Sequence, residues 1–204
     1  MNWEWEGTVH EDCVVFFKVG EGWGGLSNLS NDFPLRVNGQ PVGSSEALYQ
    51  ACRFPHRPEW QREVLEAPHA MRAKMVAKKG GRRKEHSRPD WEEVQVEVMQ
   101  WCLRVKLAWH FEQFGGLLRR SAPRPIVERS RKDRFWGAVP GPDGVLRGEN
   151  RLGRLLMELR DELLACEVAG QEGRLLRVEP PQVPGLLLLG RAVEAIEVPA
   201  GGPR

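Results

Sequence analysis

Glu46, Tyr49, Gln50 and Arg53 recur three or four residues apart in the segment Ser44–Phe54, SSEALYQACRF. Wound as a helix behind a serine N-cap, they share one face, while Leu48, Ala51 and Cys52 share another. A carboxylate, an amide and a guanidinium on one face can move a proton, read the edge of a ligand and clamp a phosphate. The plain alternative is the solvated side of an amphipathic helix. Two further places carry comparable groups: Asp133, Trp136 and Gly137 in KDRFWG, and Asn150 just before an apolar helical run. Each acid or amide stands at an element boundary, where scaffolds commonly present a site.

The elements that must position these groups follow from periodicity. Residues 13–18 (CVVFFK) are β-branched and aromatic and predict a strand; Leu35–Val42 predicts a hairpin turning at Asn38-Gly39. Between them runs a glycine-rich loop, GEGWGGLSNLSNDFP. Pro58 opens a helix with Trp60, Val64 and Leu65 as its apolar stripe, and Pro68 opens a second short one. The basic run KKGGRRKEHSR then interrupts as a loop, either solvated surface or a collector of phosphates. Asp90, with Glu93 completing a capping box, starts a long helix through Phe114, with Val94, Val98, Trp101, Val105 and Ala108 facing the core. A second strong helix carries Leu152, Leu155, Leu156, Leu159 and Leu163 on one stripe. Residues 121–150 form a long irregular connection anchored by IVE and FWG, and after Glu167 the pattern weakens into one or two short strands, prolines and a frayed end.

Composition narrows the function classes. The chain has 204 residues, 41% hydrophobic, and a formal net charge of +2, so no global field demands a nucleic acid or a membrane. Cys13, Cys52, Cys102 and Cys166 lie far apart without C-x-x-C spacing or adjacent histidines, which argues against zinc and against a disulfide framework. The start, MNWEWEGTVH, does not read as a signal peptide, and no apolar run reaches bilayer length. The expected location is the cytoplasm. Dinucleotide fingerprint, phosphate loop and nucleophile elbow are all absent. Eight tryptophans against one tyrosine are notable, since indoles fill cores but also stack on bases.

Six separated motifs, GWGGLSNLS, SSEALYQACRF, RPDW, MQWCLRVKLAWH, PIVERSRKDRFWGA and GENRLGRLLMELRDELL, resemble in order and spacing those of the NADAR family, named for NAD and ADP-ribose. The resemblance covers roughly Val14–Leu164. It implies a mainly α (α+β) fold over residues 1–166, with a few short N-terminal strands, and leaves 167–204 as a Pro/Gly-rich, partly ordered extension. It further implies an enzyme that hydrolyses N-glycosidic bonds. Substrates in such a family are ribosylamino-pyrimidine intermediates of riboflavin synthesis or ADP-ribosylated guanine in nucleic acid. No cofactor and no metal are implied. The sequence departs from the family pattern at Ala47, where a histidine is usual, at Arg53, where a lysine is usual, and at Leu29, where a phenylalanine is usual.

By the same resemblance, Glu46 and Asp133 are the catalytic candidates. Cleaving a ribosyl C–N bond develops positive charge on the sugar, which a carboxylate stabilises, and two carboxylates in different environments can divide acid and base roles. Asp133 either serves as the second carboxylate or holds a ribose hydroxyl. Asn28, Gln50, Arg53, Trp91, Trp136, Gly137 and Asn150 are the substrate-binding candidates, with Trp136 as a stacking plane and Arg53 as a phosphate clamp. Lys18 is a speculative addition, an amine able to trap an opened ribose as a Schiff base. The competing reading is a module that binds ADP-ribose or a related nucleotide without hydrolysing it, which the changes at Ala47 and Arg53 favour. A helical scaffold, its tryptophans only packing, is the third.

Overall fold

The computed structural model describes residues 1–79 and 85–199. In chain order, β1 (Trp3–Trp5), β2 (Thr8–His10), β3 (Val14–Phe16), β4 (Leu35–Val37) and β5 (Gln40–Val42) precede α1 (Ser45–Cys52), α2 (Pro58–Leu65), α3 (Ala70–Val76), α4 (Trp91–Trp109) and α5 (Gln113–Ser121). Then come β6 (Ile126–Glu128), β7 (Val139–Pro140), β8 (Leu146–Arg147) and α6 (Arg151–Val168). The short strands β9 (Arg177–Val178), β10 (Leu187–Leu188), β11 (Arg191–Ala192) and β12 (Ile196–Glu197) complete the described chain. The fold is α+β, with strands in several places where periodicity alone reads as loop. No helix among the described residues is long and apolar enough to cross a membrane.

The chain forms two compact units. The first combines residues 1–27 with 112–171. Its sheet runs β2-β1-β8-β7, with β1 and β8 parallel and Trp3 opposite Leu146. The β1–β2 hairpin turns at Glu6-Gly7, both at positive φ, the type I′ geometry that suits a two-residue turn. A separate parallel pair joins β3 to β6, Phe16 opposite Glu128. Trp3, Cys13, Val127, Ala138 and Leu146 make a core cluster. All five stripe leucines of α6 are buried as expected. At Gly153, a Cβ would stand 2.2 Å from the Ile126 carbonyl oxygen, so only glycine lets α6 lie directly on β6.

The second unit combines residues 28–111 with the C-terminal segment from Glu172. The β4–β5 hairpin turns at Asn38-Gly39, again both at positive φ, as the sequence predicts. Ser44 caps α1, its hydroxyl accepting the Ala47 N–H at 3.1 Å. α1 packs against α2, α3 and α4. Along α4, Val98, Trp101, Val105 and Ala108 are buried on the expected stripe. Three local expectations need correction. Asp90 precedes α4 without a side-chain cap; its carboxylate instead takes two bonds from the Arg88 guanidinium at 2.6 and 2.9 Å, which hold it below the usual carboxylate range. The long helix ends at Trp109, because Trp109 Nε1 donates to the Arg36 carbonyl and His110 Nε2 bonds the Pro34 carbonyl. In α2 the buried companion of Val64 is Gln61, bonded to the Ala51 and Leu187 carbonyls and to the Leu189 N–H.

The C-terminal segment takes part in this unit. A 3-10 turn at Glu172–Leu176 and β9 pack on α4, β10 approaches α1, and Arg88 donates to the Pro184 carbonyl. The double-glycine part of the basic run, residues 80–84, lies outside the described residues.

Candidate active site

Every residue of α1 is buried, the face bearing Glu46, Tyr49 and Gln50 as much as the one bearing Leu48, Ala51 and Cys52. The solvated-face alternative therefore fails for this helix. Glu46 is 4% exposed although it is an acid in a first helical turn. A buried carboxylate needs partners. Gln50 Nε2 donates to Glu46 Oε1 at 2.9 Å, and Lys74 Nζ, from α3, stands 3.6 Å from the same oxygen. No hydrogen bond from the described residues reaches Oε2.

A chain of polar contacts continues from there. Arg53 Nη1 donates to Gln50 Oε1 at 3.2 Å, and Arg53 Nη2 to Ser87 Oγ at 2.8 Å. The guanidinium lies 5.6 Å from the ring centres of both Phe54 and Trp91. Trp91, buried at the head of α4, packs against Tyr49 at 5.0 Å between ring centres. Burial pushes the Tyr49 hydroxyl well above its ordinary value, and the negative charge of Glu46 adds to the effect. Asn28 is joined to the start of α1: its carbonyl accepts the Glu46 N–H at 3.2 Å, and its Oδ1 accepts the Ser45 hydroxyl at 3.0 Å. Asn28, Glu46, Gln50, Arg53 and Trp91 thus form one connected group in the second unit. Lys74, Ser87 and Tyr49 belong to the same network but are not picked out as site residues by sequence reasoning. Lys74 sits in a short basic helix with no spacing that links it to Glu46.

The other candidates lie in the first unit. Asp133 is exposed, and its Oδ1 accepts the N–H groups of Phe135 and Trp136 at 3.0 and 2.9 Å, fixing the turn that presents the half-buried Trp136 indole. The backbone N–H groups of residues 149–152 donate to the carbonyls of residues 134–137, so the FWG segment occupies the otherwise unpaired amides at the start of α6. At Gly137 a Cβ would stand 2.6 Å from the Glu128 carbonyl oxygen. Asn150 is fully buried at φ 50°, with its Oδ1 accepting the Glu128 N–H and its Nδ2 donating to the Ile126 carbonyl. Both ends of that amide are occupied by β6. Lys18 is exposed, and its backbone N–H reaches Glu21 Oε2 at 3.4 Å.

The chain belongs to the NADAR family: the NADAR domain model matches residues 15–164, most of the chain. Among individual proteins, it is similar to the N-glycosidase YbiA of Escherichia coli strain K12, 36% identical over 156 residues that make up 76% of this chain and 91% of that protein. The NMR structure of E. coli YbiA superposes with a TM-score of 0.65 at 31% identity, covering 78% of this chain and 89% of that one. A riboflavin biosynthesis protein of Vibrio vulnificus, VVA0006, is 34% identical over 76% of this chain but only 40% of its own length. The chloroplastic riboflavin biosynthesis protein PYRR of maize is 34% identical over 79% of this chain and 27% of its own length.

Proposed function

We propose that the chain is an N-glycosidase that hydrolyses the bond between a ribose and a nitrogenous base. The observation that carries this reading is the state of Glu46: a carboxylate taken out of water, held through one oxygen by Gln50 and Lys74, with no hydrogen bond from the described residues to the other. Such a group is poised against charge that develops on a sugar as its C–N bond stretches, since a fixed carboxylate in a low-dielectric site stabilises an oxocarbenium ion far better than one in water. The name of the E. coli relative supports the reaction class.

In this reading Glu46 stabilises the ribosyl cation and orients the attacking water. Gln50 fixes the glutamate's rotamer. Arg53, supported by Ser87 and packed on Trp91, meets a phosphate or a base edge, and Asn28 holds the start of the helix. Asp133 and Trp136 remain the proposed hydroxyl holder and base-stacking plane, with Gly137 and Asn150 setting their backbone. Two substrates are in contention. The names of the Vibrio and maize relatives support a ribosylamino-pyrimidine phosphate; the alternative is ADP-ribosylated guanine in nucleic acid.

The test is to incubate the purified protein with a ribosylamino-pyrimidine phosphate and with ADP-ribosylated guanosine, beside a Glu46→Gln variant, and to quantify the released base. Release from one of them by the wild type, lost in the variant, supports the reading. Release from neither leaves the non-catalytic nucleotide-binding module standing.

A further inference from the structure

Arg53 is held on three sides by residues 87–91. Its carbonyl accepts the Arg88 N–H at 2.8 Å, its guanidinium donates to Ser87 Oγ, and the same guanidinium lies on the Trp91 ring. That segment is held in turn by the Arg88 side chain, 7% exposed, which forks onto the Asp90 carboxylate and donates through Nη2 to the Pro184 carbonyl at 2.8 Å. Arg88 Nη1 is buried with no hydrogen-bond partner among the described residues. At that depth water does not replace a lost acceptor, so the direction of the Pro184 carbonyl matters.

That direction is decided one residue later. The Leu186 N–H donates to the Val183 carbonyl at 3.3 Å across Pro184 and Gly185, and Gly185 stands at φ 65°. Proline first and a positive-φ glycine second make a type II turn. Types I and II differ by a flip of the peptide between the two central residues, which here carries the Pro184 oxygen. A residue that disfavours positive φ therefore draws the turn towards type I and swings the acceptor away from Arg88. Gly185 is exposed and a Cβ there would meet nothing within 4 Å, so the turn uses its backbone freedom and not its small size.

The residues that follow grip the site helix itself. The Leu187 carbonyl and the Leu189 N–H take both ends of the Gln61 amide, whose Nε2 also donates to the Ala51 carbonyl of α1. Further on, the Asn38 amide bonds the Ala192 carbonyl and the Glu194 N–H. All of these residues belong to the second unit, and 184–194 lie beyond the NADAR domain at 15–164.

We propose that the Pro184-Gly185 turn is a positioning element for Arg53, keeping its guanidinium set for the phosphate of a phosphorylated riboside. The turn touches no substrate; it acts through Arg88 and the segment 87–91. The proposal rests on the N-glycosidase reading for its substrate and on the turn's own geometry for its effect. A guanidinium bonds phosphate through a planar fork, so a small rotation of its anchors costs affinity for the phosphate and leaves the chemistry at Glu46 in place.

The experiment compares the full-length wild type with Gly185→Ala and Gly185→Asn. Ribose 5-phosphate, which has no glycosidic bond to cleave, is the probe in calorimetric titration; a ribosylamino-pyrimidine with and without its phosphate is the substrate pair. Gly185→Ala should weaken ribose 5-phosphate about tenfold, the scale on which one charged hydrogen bond is lost. Asparagine tolerates positive φ, so Gly185→Asn should stay within about threefold of the wild type. In turnover, Gly185→Ala should raise KM for the phosphorylated substrate by a similar factor, with kcat within about twofold and the dephosphorylated substrate unaffected. A merely structural role would lower stability and leave the dependence on phosphate alone. Gly185→Ala binding ribose 5-phosphate as the wild type does, an equal loss on both substrates, or a wild type with no affinity for ribose 5-phosphate would overturn the proposal. Hydrolysis with a KM independent of residue 185 sinks the positioning alone; ribose 5-phosphate binding that tracks residue 185 without any turnover sinks the hydrolytic reading alone.

Discussion

Lys74 Nζ lies 3.6 Å from Glu46 Oε1, reaching it from a different helix than the one that carries the glutamate. The pair is unequal: the glutamate side chain is 6% exposed and the lysine 36%. The lysine can leave for water at little cost, whereas the carboxylate cannot, so the ammonium serves the acid more than the acid serves it.

Glu46→Gln keeps an oxygen for Gln50 to bond and removes the buried charge. Hydrolysis should fall at least ~100-fold, the scale on which losing one fixed electrostatic group slows a reaction. The thermal midpoint should stay within about 2 °C of the wild type or rise, since charges kept for function are commonly held at the expense of stability. Rates and calorimetry on the same preparations check both halves, and a variant as active as the wild type would remove Glu46 from the chemistry.

Arg53→Lys tests the planar fork. The guanidinium bonds Gln50 and Ser87 with different nitrogens and lies on Trp91, and an ammonium cannot reproduce all three contacts. The variant should lose about 1.5–3 kcal/mol in urea unfolding, the scale of a charged hydrogen bond. In the proposed reaction it should raise KM more than it lowers kcat. An unchanged KM would limit Arg53 to holding the fold.

Lys106 is wholly buried beside Phe33, whose ring centre is 4.5 Å from Nζ, and burial pulls its ammonium down from 10.5 to about 7. Between those two values the unfolded chain binds a proton that the folded chain has released, so this residue makes stability rise with pH from about 7 to 10.5. Below 7 both states are protonated and the penalty is complete. Lys106→Met should be more stable than the wild type at pH 7, and the gap should narrow towards pH 10. Paired urea melts at both values read it, and a gap independent of pH would refute the titration.

Asn150→Ala removes the amide that bonds both Ile126 and Glu128 of β6 and leaves a non-glycine residue at φ 50°. A loss of about 2–4 kcal/mol is expected from two buried backbone groups left unpaired and from the strained backbone. Asn150→Gly, which relieves the backbone but not the bonds, should be the milder of the two. Equal melting curves for Asn150→Ala and wild type would contradict the bonding.

Much of the scaffold is legible in the sequence, because the signals are local. Ser44 as a cap, Asn38-Gly39 as a turn and the leucine stripe of α6 each announce themselves within a few residues. What escapes is set by partners far along the chain. The Glu6-Gly7 turn is readable afterwards as a two-residue hairpin signal, but β1 exists as a sheet strand through its pairing with Leu146 and Arg147. The end of α4 has no glycine or proline to mark it; it is fixed by carbonyls of Pro34 and Arg36. At the site, the helical spacing places Glu46, Gln50 and Arg53 on one face, yet their burial and the approach of Lys74 are tertiary facts that no period encodes.

The parallel partnerships of β1 with β8 and of β3 with β6 bear on how the molecule is made. A nascent chain leaving the ribosome exposes the apolar edge of Val14–Phe16 long before Ile126 is translated, and the whole stretch from Asn28 to Phe111 must emerge in between. During that interval β1 has only its hairpin partner β2 and β3 has no strand to join, so slow elongation prolongs an aggregation-prone state and chaperone occupancy should concentrate on the opening segment.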